Sequence, residues 1–229
     1  MVGAAYAVVV DVLSFTTTLS VALDAGIEVL PYPWKDGSAP QYARDHGATL
    51  AVGRSEGGPG RPSLSPVSVR ASRGGLERLV LPSPNGSALS FLLRDSGTTV
   101  AGASLRNASA VAGWLVRRLA EEPTASVALV AAGERWGDGS LRPALEDLLG
   151  AGAVVAALQA AGLEDVSPEA SAAAAVYRDA TPRLRETVLS CSSGRELVER
   201  GFAGDVDIAL ELDSSSAVPV LDGPRFRAG

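Results

Sequence analysis

The stretch Ala4-Ala5-Tyr6-Ala7-Val8-Val9-Val10-Asp11 decides the fold of this chain. Its seven consecutive apolar residues, three of them valines, are typical of a parallel strand that is buried on both faces. The apolar run stops at Asp11, and Thr16-Thr17-Thr18 then precede a helical segment that continues to Ala25 and is closed by Gly26. The pattern therefore predicts a buried strand, a polar turn and a helix in succession.

The same unit of strand, turn and helix recurs along the chain. Further strands are predicted over residues 27–30, 48–52, 78–81, 98–103, 126–132, 205–210 and 218–221. Helices are predicted over residues 38–45, 107–121, 143–161, 167–179 and 182–189. Another helix is predicted to begin in the turn at 82–87 and to end at 94, and a last one to begin at 193–196. Residues 53–68 are predicted to form an irregular loop. Because strands alternate with helices, we expect right-handed crossovers and a three-layer α/β/α fold with a largely parallel sheet. No linker or repeat is visible, so residues 1–229 are predicted to form a single α/β domain.

Composition narrows the possible chemistry. The chain of 229 residues has a net charge of −6, and its only histidine and cysteine are His46 and Cys191. These counts exclude an internal disulfide framework and a cysteine-rich zinc site, and they remove most histidine-based metal clusters. An acidic chain is a poor partner for nucleic acid, because phosphate neutralisation needs clustered cations. No basic apolar leader and no run of eighteen apolar residues occurs, so we expect a cytoplasmic protein without membrane association.

Polar residues gather directly after the predicted strands. They are Asp11 with Thr16 and Thr17, Arg54, Asn85-Gly86-Ser87, Arg106-Asn107 and Glu134-Arg135. In an open parallel sheet, ligands bind beyond the carboxyl ends of the strands, so these side chains are expected to share one site. Several of them begin helices, where free N–H groups favour an anion such as phosphate. Carboxylates beside an anion site are suited to holding a divalent metal and a phosphoryl group together.

Six stretches also occur in a recognisable order. They are Val8-Val-Val-Asp11-Val-Leu-Ser-Phe-Thr-Thr-Thr18, Gly53-Arg-Ser-Glu-Gly57, Ser83-Pro-Asn85-Gly86-Ser87, Leu105-Arg-Asn107-Ala108-Ser109-Ala110, Gly139-Ser-Leu-Arg-Pro-Ala-Leu-Glu146-Asp147 and Ser193-Gly194-Arg195-Glu-Leu-Val-Glu-Arg-Gly201-Phe202. Together they resemble the 2-phosphosulfolactate phosphatase family over nearly the whole chain. The resemblance implies a magnesium-dependent phosphatase of α/β architecture that hydrolyses the phosphate ester of 2-phosphosulfolactate to sulfolactate. A different small anionic phosphate ester is the alternative substrate.

On this basis we predict a phosphomonoester hydrolase with Mg²⁺ as its cofactor and Asp11 and Asn85 as catalytic residues. The predicted metal ligands are Asp11, Glu134, Glu146 and Asp147. The predicted substrate-binding residues are Thr16, Thr17, Arg54, Gly86, Ser87, Arg106, Asn107 and Arg135. The arginines suit the carboxylate or sulfonate of the substrate, because a guanidinium binds planar anions through two parallel hydrogen bonds. Whether Asp11 is a nucleophile or only a metal ligand is left open.

Three alternatives stay open. The chain carries Ser14 where the family commonly has arginine, which favours a non-catalytic α/β domain that binds a phosphorylated metabolite without turnover. Threonine and asparagine at helix starts are often simple caps, and Glu146 and Asp147 suit the first turn of a surface helix. A homodimer through the helix over 108–120 and the alanine-rich segment 171–177 is considered as well, with internal packing of both segments as the alternative.

Overall fold

The computed structural model describes residues 3–33, 37–72 and 74–229. Its strands are β1 (Tyr6–Val10), β2 (Glu28–Tyr32), β3 (Thr49–Leu50), β4 (Arg78–Pro82), β5 (Thr99–Ala103), β6 (Val127–Ala131), β7 (Glu134–Arg135), β8 (Leu141–Arg142), β9 (Pro219–Asp222) and β10 (Arg225–Ala228). Its helices are α1 (Phe15–Asp24), α2 (Ala39–Asp45), α3 (Pro66–Ala71), α4 (Gly86–Asp95), α5 (Ala108–Glu121), α6 (Leu145–Ala160), α7 (Pro168–Ala180), α8 (Leu184–Ser190), α9 (Ser192–Glu199) and α10 (Ala203–Ala209). Two short 3-10 turns lie at Arg54–Glu56 and Thr181–Arg183.

Eight strands form one sheet in the order β3-β4-β2-β10-β9-β5-β1-β6, and β7 pairs with β8 in a separate hairpin. Parallel pairing joins β3, β4 and β2 into one group and β5, β1 and β6 into another. The antiparallel hairpin β9–β10 lies between the two groups. The prediction of an α/β fold with a largely parallel sheet is confirmed, while the extent of a single domain stays a prediction.

The two parallel groups run in opposite senses when they are traced through the hairpin. The reversal arises because β9 is antiparallel to β5 and β10, and β10 is antiparallel to β2. A sheet twist of about 20–25° per neighbouring pair accumulates to roughly 100–125° over the five steps from β1 to β4. The loops after β1 and β4 meet in spite of this reversal, because the backbone N of Gly86, after β4, donates to Oδ2 of Asp11, after β1, at 3.0 Å.

The central strand β1 is buried on both faces, as its apolar run predicts. Val8 packs on one face with Leu115 of α5. Val9 packs on the other face with Leu19 of α1. Successive side chains of a strand point to opposite faces, so one short segment anchors both helical layers. The three layers of helix, sheet and helix are thereby confirmed.

The segment predicted as an irregular loop, residues 53–68, runs into a helix that the sequence pattern missed. Ser65 caps α3, because its Oγ accepts a hydrogen bond from the backbone N of Ser68, and Pro66 occupies the first turn. Proline fits this position because the N–H that it lacks would have no helical partner there. The density of glycine and proline upstream hid this helix start.

The prediction of a strand over residues 205–210 is wrong, because α10 covers most of this segment. Apolar and acidic residues alternate here, and in so short a segment the alternation fits one helical face as well as a strand. Val206 and Ala209, three residues apart, both pack into the core. The strands β7, β8 and β10 are also absent from the sequence prediction.

The helices considered for a homodimer pack inside the chain. α5 buries Val111 and Leu115, and α7 buries Ala173 and Ala174. α7 crosses α6 so closely that a Cβ on Gly152 would overlap the backbone of Ala173. Internal packing therefore accounts for the small side chains of both segments, and the oligomeric state stays a prediction. None of the helices in the described part of the chain is long and apolar enough to cross a membrane.

Candidate active site

A cavity of about 350 Å³ lies where the loops after β1, β3 and β4 meet. Four of the predicted site residues line this cavity, namely Asp11, Arg54, Asn85 and Glu134. They come from the end of β1, the 3-10 turn after β3, the loop after β4 and the strand β7. The opposite wall is formed by α9 and the residue that follows it, Arg200. Residues far apart in sequence therefore share one site.

The Asp11 carboxylate bridges the first turns of two helices. Its Oδ1 accepts a hydrogen bond from the backbone N of Phe15 at 3.1 Å, and its Oδ2 accepts one from the backbone N of Gly86 at 3.0 Å. Burial raises the pKa of Asp11 to about 7. The nearby charge of Glu134 adds to this increase, and the two N–H groups oppose part of it. A carboxyl group with this pKa exchanges its proton near neutral pH, which suits catalytic work.

Gly86 allows α4 to approach Asp11. A Cβ at this position would overlap the ring of Phe15 and lie 2.9 Å from Oδ2 of Asp11. Contacts this short do not occur in folded proteins, so any larger residue would push the start of α4 away from the carboxylate. Glycine at position 86 is thus required by geometry, and Gly86 takes part in the site through its backbone N–H.

Asn85 holds Glu134 at the cavity wall. The Nδ2 atom of Asn85 donates to Oε2 of Glu134 at 2.9 Å. The Asn85 side chain makes no capping hydrogen bond to α4, so simple helix capping does not describe its role. Burial raises the pKa of the Glu134 carboxyl. The cavity therefore contains two carboxyl groups, Asp11 and Glu134, that both bind protons more readily than usual.

Arg54 is anchored on one side and faces the cavity on the other. Its Nη1 pairs with Asp205 of α10, and its Nη2 donates to Oγ of Ser14 at 3.1 Å. Asp205 also accepts a hydrogen bond from the hydroxyl of Ser65. Burial lowers the pKa of Arg54 and raises that of Asp205. Separating Arg54 from Asp205 would leave a buried charge without a partner, which costs free energy. The ion pair therefore keeps the guanidinium of Arg54 at this position.

Arg200 is a second cation on the cavity wall, and the sequence analysis gave it no role. Its side chain is exposed, and it has no ion pair within residues 3–33, 37–72 and 74–229. The acid on the preceding turn, Glu196, pairs with Arg142 of β8 instead. Arg200 lies in one of the stretches that carry the family resemblance, and this position was the signal that could have identified it.

The predicted phosphate-binding hydroxyls point into the protein. The hydroxyl of Thr16 donates to the carbonyl oxygen of Asp11 at 2.8 Å, and that of Thr17 donates to the carbonyl oxygen of Val12 at 2.7 Å. The hydroxyl of Ser87 donates to a carbonyl oxygen of β4 at 2.9 Å. All three side chains are buried. Their hydrogen bonds fasten the starts of α1 and α4 to the ends of the strands.

Glu146 and Asp147, in the first turn of α6, are buried and do not line the cavity. Asp147 accepts hydrogen bonds from the backbone N of Val12 at 2.7 Å and of Gly133 at 2.9 Å. Glu146 accepts a hydrogen bond from the thiol of Cys191 at 3.3 Å. Burial raises the pKa of Asp147 well above its usual range and that of Cys191 to about 12. Asp147 thus joins the loop after β1 to the loop after β6, and neither acid lies on the surface.

Three predicted substrate-binding residues also lie away from the cavity. Arg106 is buried and forms ion pairs with Asp24 at 3.1 Å and Glu211 at 3.3 Å. Asn107 is buried, and its Oδ1 accepts a hydrogen bond from a backbone N in the loop after β5 at 2.8 Å. Arg135 is exposed on the β7–β8 hairpin and donates to a carbonyl oxygen of that hairpin at 3.1 Å. The structure does not bring these three residues to Asp11.

The carboxylates do not form a closed metal site by themselves. Within the described ranges, no group of three or more His, Cys, Asp or Glu side chains converges to hold a metal ion. Asp11 and Glu134 nevertheless both line the cavity. Mg²⁺ usually keeps several waters and binds through one or two carboxylates together with substrate phosphate. This pair of residues fits an ion that binds together with its substrate.

Comparison with known proteins identifies the family. A family model described as 2-phosphosulpholactate phosphatase matches residues 2–224. The chain belongs to the 2-phosphosulfolactate phosphatase family. The probable 2-phosphosulfolactate phosphatase of Thermus thermophilus is 32% identical over 218 residues, which cover 94% of this chain and 87% of the relative. The probable 2-phosphosulfolactate phosphatase of Deinococcus radiodurans is 30% identical, with 97% and 93% covered. The 2-phosphosulfolactate phosphatase of Methanothermobacter thermautotrophicus is 29% identical, with 98% and 90% covered.

The predicted resemblance to the 2-phosphosulfolactate phosphatase family is therefore confirmed. Four of the stretches that carried it contribute residues to the cavity: Asp11 from the first, Arg54 from the second, Asn85 from the third and Arg200 from the last. These four stretches are far apart in the sequence, but in the fold they meet at one cavity.

Proposed function

We propose that this chain is a phosphatase that hydrolyses 2-phosphosulfolactate to sulfolactate and phosphate. The observation that carries the proposal is the Asp11 carboxylate, held between the first turns of α1 and α4 on the wall of a cavity that also contains Arg54 and Arg200. The printed names of the relatives point to the same reaction. A different small anionic phosphate ester is the alternative substrate, since a cavity of about 350 Å³ admits a molecule of a few carbon atoms.

The two arginines suggest how such a substrate is oriented. The substrate carries a phosphate, a sulfonate and a carboxylate, so it needs more than one cationic contact. Arg54 is held by Asp205 and suits the phosphoryl group, which must lie next to Asp11. Arg200 is exposed and unpaired in the described ranges, and it suits the sulfonate or the carboxylate.

Mg²⁺ is the proposed cofactor, and Asp11 and Glu134 are its proposed ligands. The bound ion would neutralise charge on the phosphate oxygens, and such positioning and neutralisation supply most of the catalysis in phosphoryl transfer. Glu146 and Asp147 stay predictions in this role. Asp11 and Glu134 are preferred because they line the cavity, whereas Glu146 and Asp147 do not.

The raised pKa values of the two cavity carboxyl groups bear on their roles. With a pKa of about 7, Asp11 is available as a carboxylate at neutral pH. Burial raises the pKa of Glu134 because its carboxylate is poorly solvated, and this favours contact with a cation. Whether Asp11 attacks phosphorus or only binds the metal is decided by acid quenching during turnover. A nucleophilic Asp11 leaves phosphate covalently bound to the chain, whereas a metal ligand leaves none.

The alternative of a non-catalytic binding domain rests on Ser14, where the family commonly has arginine. In this chain Arg54 donates to the hydroxyl of Ser14, so a guanidinium still reaches that part of the wall. This contact supports turnover over binding alone.

The test is phosphate release from 2-phosphosulfolactate and from a panel of related anionic esters, with Mg²⁺ or with a chelator. Asp11→Asn is expected to lower kcat by about a thousandfold, because it removes a group that acts on the reacting atoms. Arg200→Gln is expected to raise KM about tenfold with little change in kcat, because it removes a contact distant from phosphorus. Arg183→Gln, an exposed arginine outside the cavity, is the matched control. Tight ligand binding without turnover on any ester would favour the binding domain.

A further inference from the structure

Two oppositely charged side chains lie one helical turn apart on the cavity wall and do not pair with each other. Glu196 of α9 and Arg200 both line the cavity, and the backbone N of Arg200 donates to the carbonyl oxygen of Glu196 at 3.2 Å. A glutamate followed four residues later by an arginine ordinarily forms an ion pair on a helix surface. Among the described residues, Arg200 has no ion pair. The reason lies in the other contact that Glu196 makes.

Arg142 of β8 holds Glu196 through both oxygens of the carboxylate. Its Nη1 pairs with Oε1 of Glu196, and its Nη2 donates to Oε2 at 3.1 Å. Only 13% of the Arg142 side chain is exposed, and its guanidinium carbon lies 5.5 Å from the centroid of the Trp136 ring. Two-point pairs between a guanidinium and a carboxylate are stronger and better oriented than single contacts. Arg142 is therefore favoured over the exposed Arg200 as the partner of Glu196.

The charge of Arg200 is left available at the cavity. Burial lowers the pKa of Arg54, and the charge of Arg200 lowers it further, so the two guanidinium groups act on each other. Asp205 is the partner of Arg54, whereas no acid of the described ranges pairs with Arg200. Glu196 is ionised at neutral pH, because the hydrogen bonds from Arg142 lower its pKa. A Glu196 released from Arg142 would therefore compete with an anionic ligand for Arg200.

We propose that Arg142 is a positioning residue that holds Glu196 away from Arg200 and so keeps Arg200 available for a second anionic group of the substrate. The inference rests on the proposed function, in which Arg54 binds the phosphoryl group and Arg200 binds the sulfonate or the carboxylate. Arg142 does not line the cavity, so its effect on this second group passes through Glu196.

A different effect of Arg142, through Glu134, can be separated by experiment. Arg142 lies directly opposite Glu134 in the β7–β8 hairpin. Burial raises the pKa of Glu134, and the hydrogen bond from Asn85 and the charge of Arg142 oppose this increase. An effect through Glu134 would persist when Glu196 is made neutral, whereas an effect through Glu196 would disappear. The combination of Arg142→Gln with Glu196→Gln therefore distinguishes the two.

The binding of sulfolactate and of inorganic phosphate, measured by isothermal titration calorimetry with Mg²⁺ present, tests the inference. Arg142→Gln is expected to raise the Kd for sulfolactate about fivefold, because Glu196 then pairs with Arg200 and repels the anion. The Kd for inorganic phosphate should stay close to the wild-type value, because this ion needs only the Arg54 side of the cavity. Adding Glu196→Gln should restore the wild-type Kd for sulfolactate. Arg185→Gln, which breaks an exposed ion pair outside the cavity, is the matched control.

Glu196→Gln alone keeps Arg142 in place and provides a second test if Arg142→Gln does not fold. This variant is expected to lower the Kd for sulfolactate about twofold, because it removes a negative charge from the cavity wall. A raised Kd would overturn the inference. An unchanged Kd in Arg142→Gln, an increase that Glu196→Gln does not reverse, or an equal increase for inorganic phosphate would each overturn it too. So would a wild-type chain that does not bind sulfolactate.

Phosphate release from 2-phosphosulfolactate separates this inference from the proposed function. A chain that shows the expected pattern of binding but releases no phosphate from any ester would refute the proposed reaction and leave the role of Arg142 standing. A chain that releases phosphate while its affinity for sulfolactate ignores both substitutions would refute the role of Arg142 alone.

Discussion

Replacing Asp11 with asparagine should change how the stability of the protein depends on pH. The Asp11 carboxyl is buried, and its pKa in the folded protein is about 7, against an ordinary value of 3.8. At a pH between these two pKa values, Asp11 carries a proton in the folded protein but not in the unfolded chain. The stability of the wild type therefore falls as the pH rises from about 4 to about 7, and the loss is complete above about pH 7. Asparagine does not titrate, so the variant lacks this loss.

The size of the effect follows from the interval between the two pKa values. At 1.36 kcal/mol per pH unit, this interval corresponds to about 4 kcal/mol. About two thirds of it lies between pH 5 and pH 8, so the free energy of unfolding of the variant minus that of the wild type should rise by about 2–3 kcal/mol over this range. The amide NH₂ must also face the backbone N–H of Phe15 or Gly86, which costs about 1–3 kcal/mol. This cost is independent of pH and leaves the slope unchanged.

Urea denaturation followed by the fluorescence of the three tryptophans measures both proteins at a series of pH values. A chelator is needed, because a bound cation would lower the pKa of its ligands. Asp138→Asn is the matched control. Asp138 is exposed, and its hydrogen bonds with Ser140 lower its pKa below the ordinary value of 3.8. Its contribution to the stability of the folded protein is therefore fully present above about pH 4 and is lost only in stronger acid. Its difference curve should be flat over this range. If the curve for Asp11→Asn is as flat, the assignment of a buried, proton-binding Asp11 is refuted.

Three further substitutions test the packing around the site by urea denaturation and steady-state kinetics. Gly86→Ala should destabilise the protein by about 1–3 kcal/mol and lower kcat at least tenfold, since its Cβ would overlap Phe15 beside the carboxylate; unchanged kcat would contradict this. Asp205→Ala should cost about 3–5 kcal/mol and raise KM, because it leaves Arg54 without its buried partner; unaltered stability would show that the pair is not required. Gly152→Ala should cost about 1–3 kcal/mol while kcat per folded molecule is kept, because it forces α7 away from α6 at a distance from the cavity.

The sequence was sufficient to predict the fold where burial was unambiguous. The apolar run before Asp11 predicts a central strand, and its alternating contacts with two helical layers follow from strand geometry alone. The sequence was insufficient where a short segment fits two periodicities, as at residues 205–210. The sequence prediction also missed α3, because proline was interpreted as part of an irregular loop, whereas Pro66 lies in the first turn of this helix.

The candidate site shows a second limit. Position after a strand predicts that a polar residue lies near the edge of the sheet, but it does not predict which way the side chain points. Asp11 and Asn85 face the cavity, whereas Arg106 turns to Asp24 and Glu211. Arg200 comes from the end of a helix, so a rule based on strand ends cannot find it. Side-chain direction depends on partners that only the three-dimensional structure reveals.

The central position of the β9–β10 hairpin has a consequence for the order in which the protein is assembled. Residues 219–228 join the two parallel groups, and every other strand of the sheet precedes them in the chain. During synthesis, each group can form its own pairings as soon as its strands have left the ribosome. The segment that links them emerges after all of these strands. Asp11 belongs to one group and the loop containing Asn85 to the other, so the ribosome releases two half-sheets first and the strands that complete the cavity's frame only afterwards.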